Sequence, residues 1–324
     1  MKTYFLRGRV TALSSISHNG GESFGIDSLL RREKFVQPDG SVQEVPVVSG
    51  NSMRGVLRDR GMLHMCRELG YGSEEEGAVR GLPIGAFHFL FSGGSLGQDG
   101  GKTINIESAR KLRSMIPLVS IFGGAMGNNI LPGKLDMGKL IPICAETAHL
   151  LPAEFLPSAR PASIWEYTQR EMYTRKDDER NEHLRGVIES RTRNLIEAAR
   201  LEKSARVARS EPVEDSGQRQ QMMYYVETLA SGTPFYWAIC LRDVSDMEFE
   251  AFLTALAEFS KRPVIGGKAN VGHGHVAIEF GSWYSLDSRI ADAGGQAIAS
   301  PAGEVYRSHL AARRAEIRAV LEAM

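Results

Sequence analysis

Net charge is the first thing missing: 39 Lys and Arg stand against 39 Asp and Glu in 324 residues, so no whole-molecule field marks a binder of nucleic acid or of a membrane surface. Cysteine is scarce as well. Cys66, Cys144 and Cys240 are odd in number and far apart, which speaks against a disulfide framework and makes a reducing cytoplasm the expected location. No apolar run approaches the roughly 18 residues of a membrane span. The first ten residues alternate apolar with basic and lack the apolar core of a secretory leader. No CxxC or HExxH spacing offers a metal site, so neither metal nor cofactor is expected. Fixed-period repeats and low-complexity tracts are absent too. The rest, 42% hydrophobic and 24% charged, is an ordinary globular composition, long enough for one large domain or two smaller ones.

Glycine is the excess: 34 residues of 324, about 10% against an average near 7%. The glycines cluster at Asn19-Gly20-Gly21, from Gly93-Gly94 to Gly100-Gly101, at Gly123-Gly124 with Gly127, and at Gly266-Gly267 with Gly272 and Gly274. Each cluster borders an expected element. That placement suits shaped loops, for tight turns or close approach of backbone to a ligand, with plain flexible surface loops as the alternative.

Alternation over residues 3–13 predicts a first strand, followed by a turn over 14–21. Residues 34–48, broken by Pro38-Asp39-Gly40, read as a hairpin arm. A helix is expected over 51–69, capped by Asn51 or Ser52, with Met53, Val56, Leu57 and Leu63 on one side. The stretch 70–101 reads as irregular, a short helix over 107–115 stops before Pro117, and 133–144 suits a strand or hairpin. Residues 164–209 are charged and mostly helix-prone. Residues 222–229 and 235–241 flank Ser231-Gly232-Thr233-Pro234, a hairpin signal. Ser245-Asp246-Met247-Glu248 is a capping box before Phe249, Phe252, Leu253 and Leu256 at helical spacing, and Pro263 ends that helix. A strand over 275–280 and a last helix over 303–323 complete the chain. This order fits an α+β, ferredoxin-like core with an antiparallel sheet and a long insertion over 150–220.

Two segments carry chemistry. Ser49-Gly50-Asn51-Ser52-Met53-Arg54-Gly55 sits at an expected helix N-terminus, which suits an anion. Arg54 and Arg58 share a helix face, and cations in the first turns oppose the dipole, so phosphate contact explains them better than helix stability does. Solvated surface arginines are the alternative. The late loop over 263–275 places Gly266, Gly267, Gly272 and Gly274 around Lys268, Asn270, His273 and His275, so its backbone could lie along a phosphodiester chain. It is no Walker motif, because Ala269 follows Lys268. Gly101-Lys102-Thr103 has the right ending, but Leu96 stands where the first glycine belongs, and nucleotide hydrolysis is rejected at both places. For His273 and His275, hydrogen bonding to RNA or backbone is favoured over metal ligation or acid–base work. Residues 185–209 hold seven Arg or Lys against three Glu, an excess compensated by acid in 211–215 and 243–258. This stretch could bind a nucleic-acid backbone, pack on another copy, or be a solvated salt-bridged helix.

Four passages in order carry a resemblance: Ile16-Ser17-His18-Asn19-Gly20-Gly21; Val45-Pro46-Val47-Val48-Ser49-Gly50-Asn51-Ser52-Met53-Arg54-Gly55-Val56-Leu57-Arg58; Leu118-Val119-Ser120-Ile121-Phe122-Gly123-Gly124; and the late glycine loop. The chain resembles the RAMP superfamily of CRISPR-associated proteins, specifically the backbone subunit of class 1 effector complexes. Leu29-Leu30-Arg31-Arg32-Glu33-Lys34 and Tyr173-Thr174-Arg175-Lys176-Asp177-Asp178-Glu179 look most like the type IV version. The resemblance implies a right-hand shape with an RRM-like palm, helical fingers and an extended thumb. Residues 1–69 would be the first half of the palm with the hairpin arm, 70–149 a finger-like insertion and return, and 150–219 the thumb or helical charged insertion. Residues 220–281 would be the second half of the palm, and 282–324 a tail and helix.

The implied partners are a crRNA guide, target DNA or RNA paired to it, other effector subunits, and copies of the chain itself assembled head to tail. The implied RNA-binding residues are His18, Asn19 and Gly20; Ser49, Gly50, Asn51, Ser52, Arg54 and Arg58; Gly123 and Gly124; Tyr173, Arg175 and Lys176. From the late loop come Gly266, Gly267, Lys268, Asn270, Gly272 and His273. Type III relatives cleave RNA with a loop aspartate, but neither Glu22 nor Asp27 falls convincingly on that spot. The expectation is therefore a non-catalytic subunit, with an Asp27-dependent RNA endonuclease and an RNA-independent protein scaffold as alternatives. The aromatic RNA-stacking string of RRM domains is absent, which speaks against base stacking on the sheet face.

Overall fold

The computed structural model describes residues 1–24, 27–72, 74–75, 78–94, 106–126, 129–175, 222–281, 284–286 and 303–324. In chain order these form β1 (Lys2–Ala12), β2 (Asn19–Phe24), β3 (Asp27–Leu30), β4 (Arg32–Val36), β5 (Val42–Pro46) and α1 (Gly50–Glu68). Next come β6 (Glu74–Glu75), β7 (Ala78–Val79), α2 (Ile84–Phe91), α3 (Ile106–Met115), α4 (Pro117–Phe122), β8 (Gly124–Met126) and β9 (Asn129–Leu131). They are followed by β10 (Leu135–Met137), β11 (Ile141–Pro142), α5 (Ile164–Tyr167), β12 (Thr168–Arg175), β13 (Met222–Leu229) and β14 (Pro234–Val244). The last are α6 (Asp246–Ser260), β15 (Val276–Phe280), β16 (Tyr284–Leu286), α7 (Glu304–Ala312) and α8 (Arg314–Glu322). The chain divides into two compact units, one of Met1–Glu22, Leu29–Gln169 and Thr228–Met324, the other of Ser23–Ser28 with Arg170–Glu227.

The first unit is organised by β1. Its alternation buries Tyr4, Leu6, Val10 and Ala12 on one face and leaves Phe5, Arg7 and Arg9 half-buried on the other, as a pleated strand with one covered face requires. β1 lies antiparallel between β14 and β15, and the sheet runs β10–β14–β1–β15, with β11 also on β14 and β16 on β1. α1 follows β1, and α6 connects β14 to β15. The two helices pack closely at Gly61, where an added Cβ would lie 2.7 Å from Ala255 Cβ. Met53, Leu57, Met62 and Met65 of α1 are buried, as are Phe252, Leu256 and Phe259 of α6. Each such side chain contributes about 1.5–3 kcal/mol by leaving water.

The capping box at Ser245 and Glu248 starts α6 as expected: Glu248 N–H donates to Ser245 Oγ at 3.2 Å, and Ser245 N–H to Glu248 Oε2 at 2.7 Å. α7 is docked by Glu250 Oε2, which accepts from Tyr306 N–H at 3.1 Å. The guanidinium Nε atoms of Arg314 and Arg318 donate to the Leu69 carbonyl behind α1.

Several local expectations are corrected. α1 is capped by Ser49, not Asn51 or Ser52: Ser49 Oγ accepts from Ser52 N–H at 3.2 Å. The stretch read as irregular contains α2, whose apolar residues show no period because almost all of them are apolar. Pro117 does more than stop a helix, since it opens α4 at the position where its missing N–H costs nothing. Helix propensity after Ile164 holds for one turn only, and the chain then becomes strand β12; residues 176–209 lie outside the described residues. β13 and β14 flank the expected turn but pair in different sheets. β14 joins β1, and β13 takes its place in the order β12–β13–β3–β2, running parallel to β3 through Tyr225↔Asp27. The last helix is broken at Arg313 into α7 and α8.

Candidate nucleic-acid interface

The turn after β1 and the late glycine loop are built on each other. Gly267 N–H donates to the Ser17 carbonyl at 2.6 Å, Gly274 N–H to the Ser15 carbonyl at 2.9 Å, and Leu13 N–H to the His275 carbonyl at 2.7 Å. Such a seam demands glycine where backbones meet. Gly266 has φ +74 and an added Cβ would stand 2.5 Å from the Ser17 oxygen, while Gly274, at φ +85, has no room beside the Ile265 carbonyl. Gly267 has ordinary clearance, 3.6 Å from Ser17 O, so the strictly required glycines are its neighbours. Lys268 adopts the left-handed backbone with φ +59 and caps a short 3-10 turn over Ala269–Val271. Asn270 and Gly272 are exposed, and Lys268 is half-buried.

His18 joins this seam to the start of α1. Its Nε2 accepts from Ser49 N–H at 3.1 Å, which fixes that nitrogen as unprotonated. Burial, and then the nearby Arg31 charge, holds the imidazole pKa below its ordinary value. The first turn of α1 carries no acidic residue, so its dipole end is not neutralised from within. Asn19, Gly20 and Asn51 are exposed around this junction and Ser52 is half-buried. Ser49 is buried, and Gly50 is pressed against the Met137 carbonyl. The structure therefore brings together His18, Asn19, Gly20, Ser49, Gly50, Asn51, Ser52, Gly266, Gly267 and Lys268.

Sequence reasoning missed Arg31 as a site residue. Its N–H donates to the His18 carbonyl at 2.9 Å, its Cα lies 3.3 Å from where a Gly20 Cβ would be, and it is exposed. The signal was present in Leu29-Leu30-Arg31-Arg32, a doublet of cations at the end of a short strand.

His273 is corrected. It is 2% exposed and its Nδ1 lies 2.8 Å from Ser15 Oγ and 3.3 Å from the Ser15 carbonyl, so it faces the turn instead of solvent.

The second predicted locus is different in kind. Arg54 and Arg58 are half-buried, and both guanidinium groups donate to the carbonyl of Phe122 at the end of α4, Arg58 at 2.9 Å. The Arg58 guanidinium also lies over the Phe122 ring, 5.8 Å from its centroid. Burial, and then the like charge of Arg54, lowers the Arg58 pKa from its ordinary value. The Nε atoms of both arginines are buried and find no partner among the described residues. The expectation of exposed arginines fails because the end of α4 offers a carbonyl that the chain itself must satisfy. Gly123, with φ +67, turns the chain directly against residues 131–133, and Gly124 lies against the Phe89 ring. Their freedom serves that turn.

In the second unit, Arg170 Nη2 lies 2.8 and 2.6 Å from the two Asp27 oxygens, and its guanidinium covers the Tyr225 ring at 3.9 Å. Asp27 is thus held in an ion pair. Tyr173 stacks on Tyr224 at 5.4 Å and donates its hydroxyl to Glu171. Arg175 is the last residue of β12, and Lys176 lies outside the described residues.

Burial pushes the Cys66 thiol up to about 12 and the Cys144 thiol to about 11, which leaves neither as a ready nucleophile. Among the described residues no group of three or more His, Cys, Asp or Glu is placed to hold a metal ion. No described helix is long and apolar enough to cross a membrane.

No family model matches the chain, and no curated protein does. Among solved structures it is similar to a chain described as "Type IV-B CRISPR Complex", with a TM-score of 0.52 and 22% identity over 93% of this chain and 96% of that one. The likeness is one of fold, and it spans nearly the full length of both chains.

Proposed function

We propose that the chain is a non-catalytic backbone subunit of a type IV CRISPR effector complex, which binds the crRNA guide by its phosphates and repeats head to tail along it. The observation that carries this reading is the near full-length fold likeness to a chain of a type IV-B CRISPR complex. The sheet order β10–β14–β1–β15 with α1 and α6 as connections is that of a split βαβ, or ferredoxin-like, core, which supports the palm assignment.

Within this reading the guide backbone runs past the junction of the β1–β2 turn, the start of α1 and the late loop. Arg31 and Lys268 supply charge, and Asn19, Asn51 and Asn270 supply amide donors. Backbone N–H groups at the start of α1 add a partial positive end. No contact reads a base; sequence is left to pairing by the guide. The ion pair of Asp27 with Arg170 favours the non-catalytic reading over an Asp27 nuclease.

The test is co-expression of the full chain with a crRNA, followed by isolation of the protein and electron microscopy. Protein that retains RNA in regularly spaced copies, and whose affinity falls steeply between 50 and 200 mM salt, bears the proposal out. Protein without RNA under those conditions refutes it. Cleavage of target RNA that vanishes in Asp27→Ala would replace it with the endonuclease reading.

A further inference from the structure

Three exposed asparagines stand where the β1–β2 turn, the start of α1 and the late loop meet: Asn19, Asn51 and Asn270. An asparagine holds an electrophile, its side-chain Cγ, one five-membered ring away from a nucleophile, the backbone nitrogen of the next residue. The state of that nitrogen decides whether the ring can close. After Asn51 it is engaged, because Ser52 N–H donates to Ser49 Oγ at 3.2 Å. After Asn270 it is engaged too, since Val271 N–H donates to the Lys268 carbonyl at 3.0 Å, and the branched Val271 side chain stiffens and crowds the approach.

Asn19 differs on both counts. It is followed by Gly20, in the one Asn-Gly pair of the sequence, so no Cβ shields the nitrogen and the backbone turns easily. Gly20 is exposed and lies across from Arg31, whose Cα is 3.3 Å from where a Gly20 Cβ would be. Arg31 nevertheless gives its N–H to the His18 carbonyl at 2.9 Å and its carbonyl to Val47 N–H at 3.0 Å. β2 is outermost in the order β12–β13–β3–β2, so no strand among the described residues holds Gly20 from the other side. Asn19 is also the first residue of β2, where turning a peptide frays a strand end and leaves its middle intact. The electrophile is prepared as well. The buried Ser17 Oγ donates to Asn19 Oδ1 at 3.2 Å, which polarises the side-chain carbonyl and stabilises the oxyanion formed on attack.

We propose that Asn19 is a site of covalent self-modification, at which the chain deamidates when no guide is bound. Gly20 N attacks Asn19 Cγ and a Cγ–N bond forms. The Cγ–Nδ2 bond breaks, and ammonia leaves with the proton that Gly20 N gives up. Water then opens the succinimide at either carbonyl, which leaves aspartate or isoaspartate at position 19. Both products put a carboxylate where the guide reading has an amide donor, beside Arg31, so phosphate is repelled and the cation is drawn away from it. The consequence rests on the backbone-subunit reading, whereas the chemistry does not. A bound guide holds the Asn19 amide and shields it, so the reaction marks chains that have stood without RNA.

The full chain is incubated at mildly alkaline pH, alone and with a short single-stranded RNA, as wild type, Gly20→Ala and Ser17→Ala. Peptide mass spectrometry and isoaspartyl methyltransferase labelling read the product. Wild type alone is expected to accumulate it at position 19 and not at 51 or 270, Gly20→Ala to lose most of it, and Ser17→Ala to form it more slowly with the fold intact by melting. Should Gly20→Ala melt early, Asn19→Gln, whose longer side chain closes no five-membered ring, replaces it. No product at position 19 in wild type, or equal product at all three asparagines, overturns the inference. RNA is expected to suppress the reaction, and Asn19→Asp to bind RNA roughly tenfold more weakly or worse. RNA that binds yet leaves the rate unchanged, or an Asn19→Asp chain that binds like wild type, overturns the regulatory role. Wild type that deamidates at position 19 but never binds RNA counts against the backbone reading alone.

Discussion

The first turn of α1 and the arginines just behind it are both suited to an anion by sequence and behave oppositely in the fold. At residues 49–52 the helix start leaves Asn51 exposed and gathers Asn19, Gly20, Arg31 and Lys268 around it. One turn further on, Arg54 and Arg58 are drawn inward to the Phe122 carbonyl. Both places concentrate positive potential. The difference is that α4 ends within reach of the second and leaves a carbonyl that both guanidinium groups satisfy, whereas the first junction closes its seam through backbone bonds and leaves Arg31 exposed and Lys268 half-buried. Arginines in the first turns of a helix can answer a carbonyl of the chain's own, as Arg54 and Arg58 do at Phe122.

The strongest way to break this comparison is at the seam. Gly274→Val is expected to lower stability by several kcal/mol, on the order of 3, because a Cβ has no room beside the Ile265 carbonyl and φ is positive. Gly267→Ala should stay within about 1 kcal/mol in the same denaturant titration. Equal losses would mean that the seam is looser than described.

Next in size, Arg54→Ala with Arg58→Ala should cost about 1–3 kcal/mol by stranding the Phe122 carbonyl, with RNA affinity per folded molecule little changed. A double variant that melts like wild type yet loses RNA would reverse the roles assigned to the two loci.

Arg31→Ala and Lys268→Ala should do the opposite, leaving the melt within about 0.5 kcal/mol and each reducing the salt slope of RNA binding by about 1. Unchanged slopes would remove these residues from the interface.

The smallest effect concerns pH. His18 has its pKa lowered from 6.5, so the unfolded chain takes up this proton before the folded one does. Its contribution to stability is therefore complete above 6.5 and falls away as pH drops through the lowered folded value. A His18→Gln variant, compared with wild type by melts between pH 7.5 and 5, should show a shallower decline. Parallel curves would show that the Ser49 N–H bond does not depend on the neutral ring.

What could be read in advance follows from how local its cause is. The alternation of β1, the capping box at Ser245 and the break at Pro263 depend on neighbours in sequence, and all three hold. The glycine clusters were legible as places of close approach, but their partner was not: for Gly266 it is Ser17 O, for Gly123 the backbone at 131–133. Only tertiary structure distinguishes a backbone that approaches a ligand from one that approaches itself. The same holds for Arg54, whose spacing to Arg58 was visible while its acceptor at Phe122 was not. α2 escaped because periodicity needs polar residues for contrast, and β12 because helix propensity over the charged stretch from Ile164 is local, and the chain turns to strand after one helical turn.

α1 is gripped at three heights: Ser49 at the top by His18, Gly61 midway against Ala255, and the Leu69 carbonyl at the bottom by Arg314 and Arg318. Contacts at top, middle and base resist both tilting and sliding of the helix. Whatever settles against Asn19 and Lys268 therefore meets a fixed shelf, and its amides should be among the last in the chain to exchange with solvent. Load placed on that shelf would pass straight down the helix to the C-terminal pair.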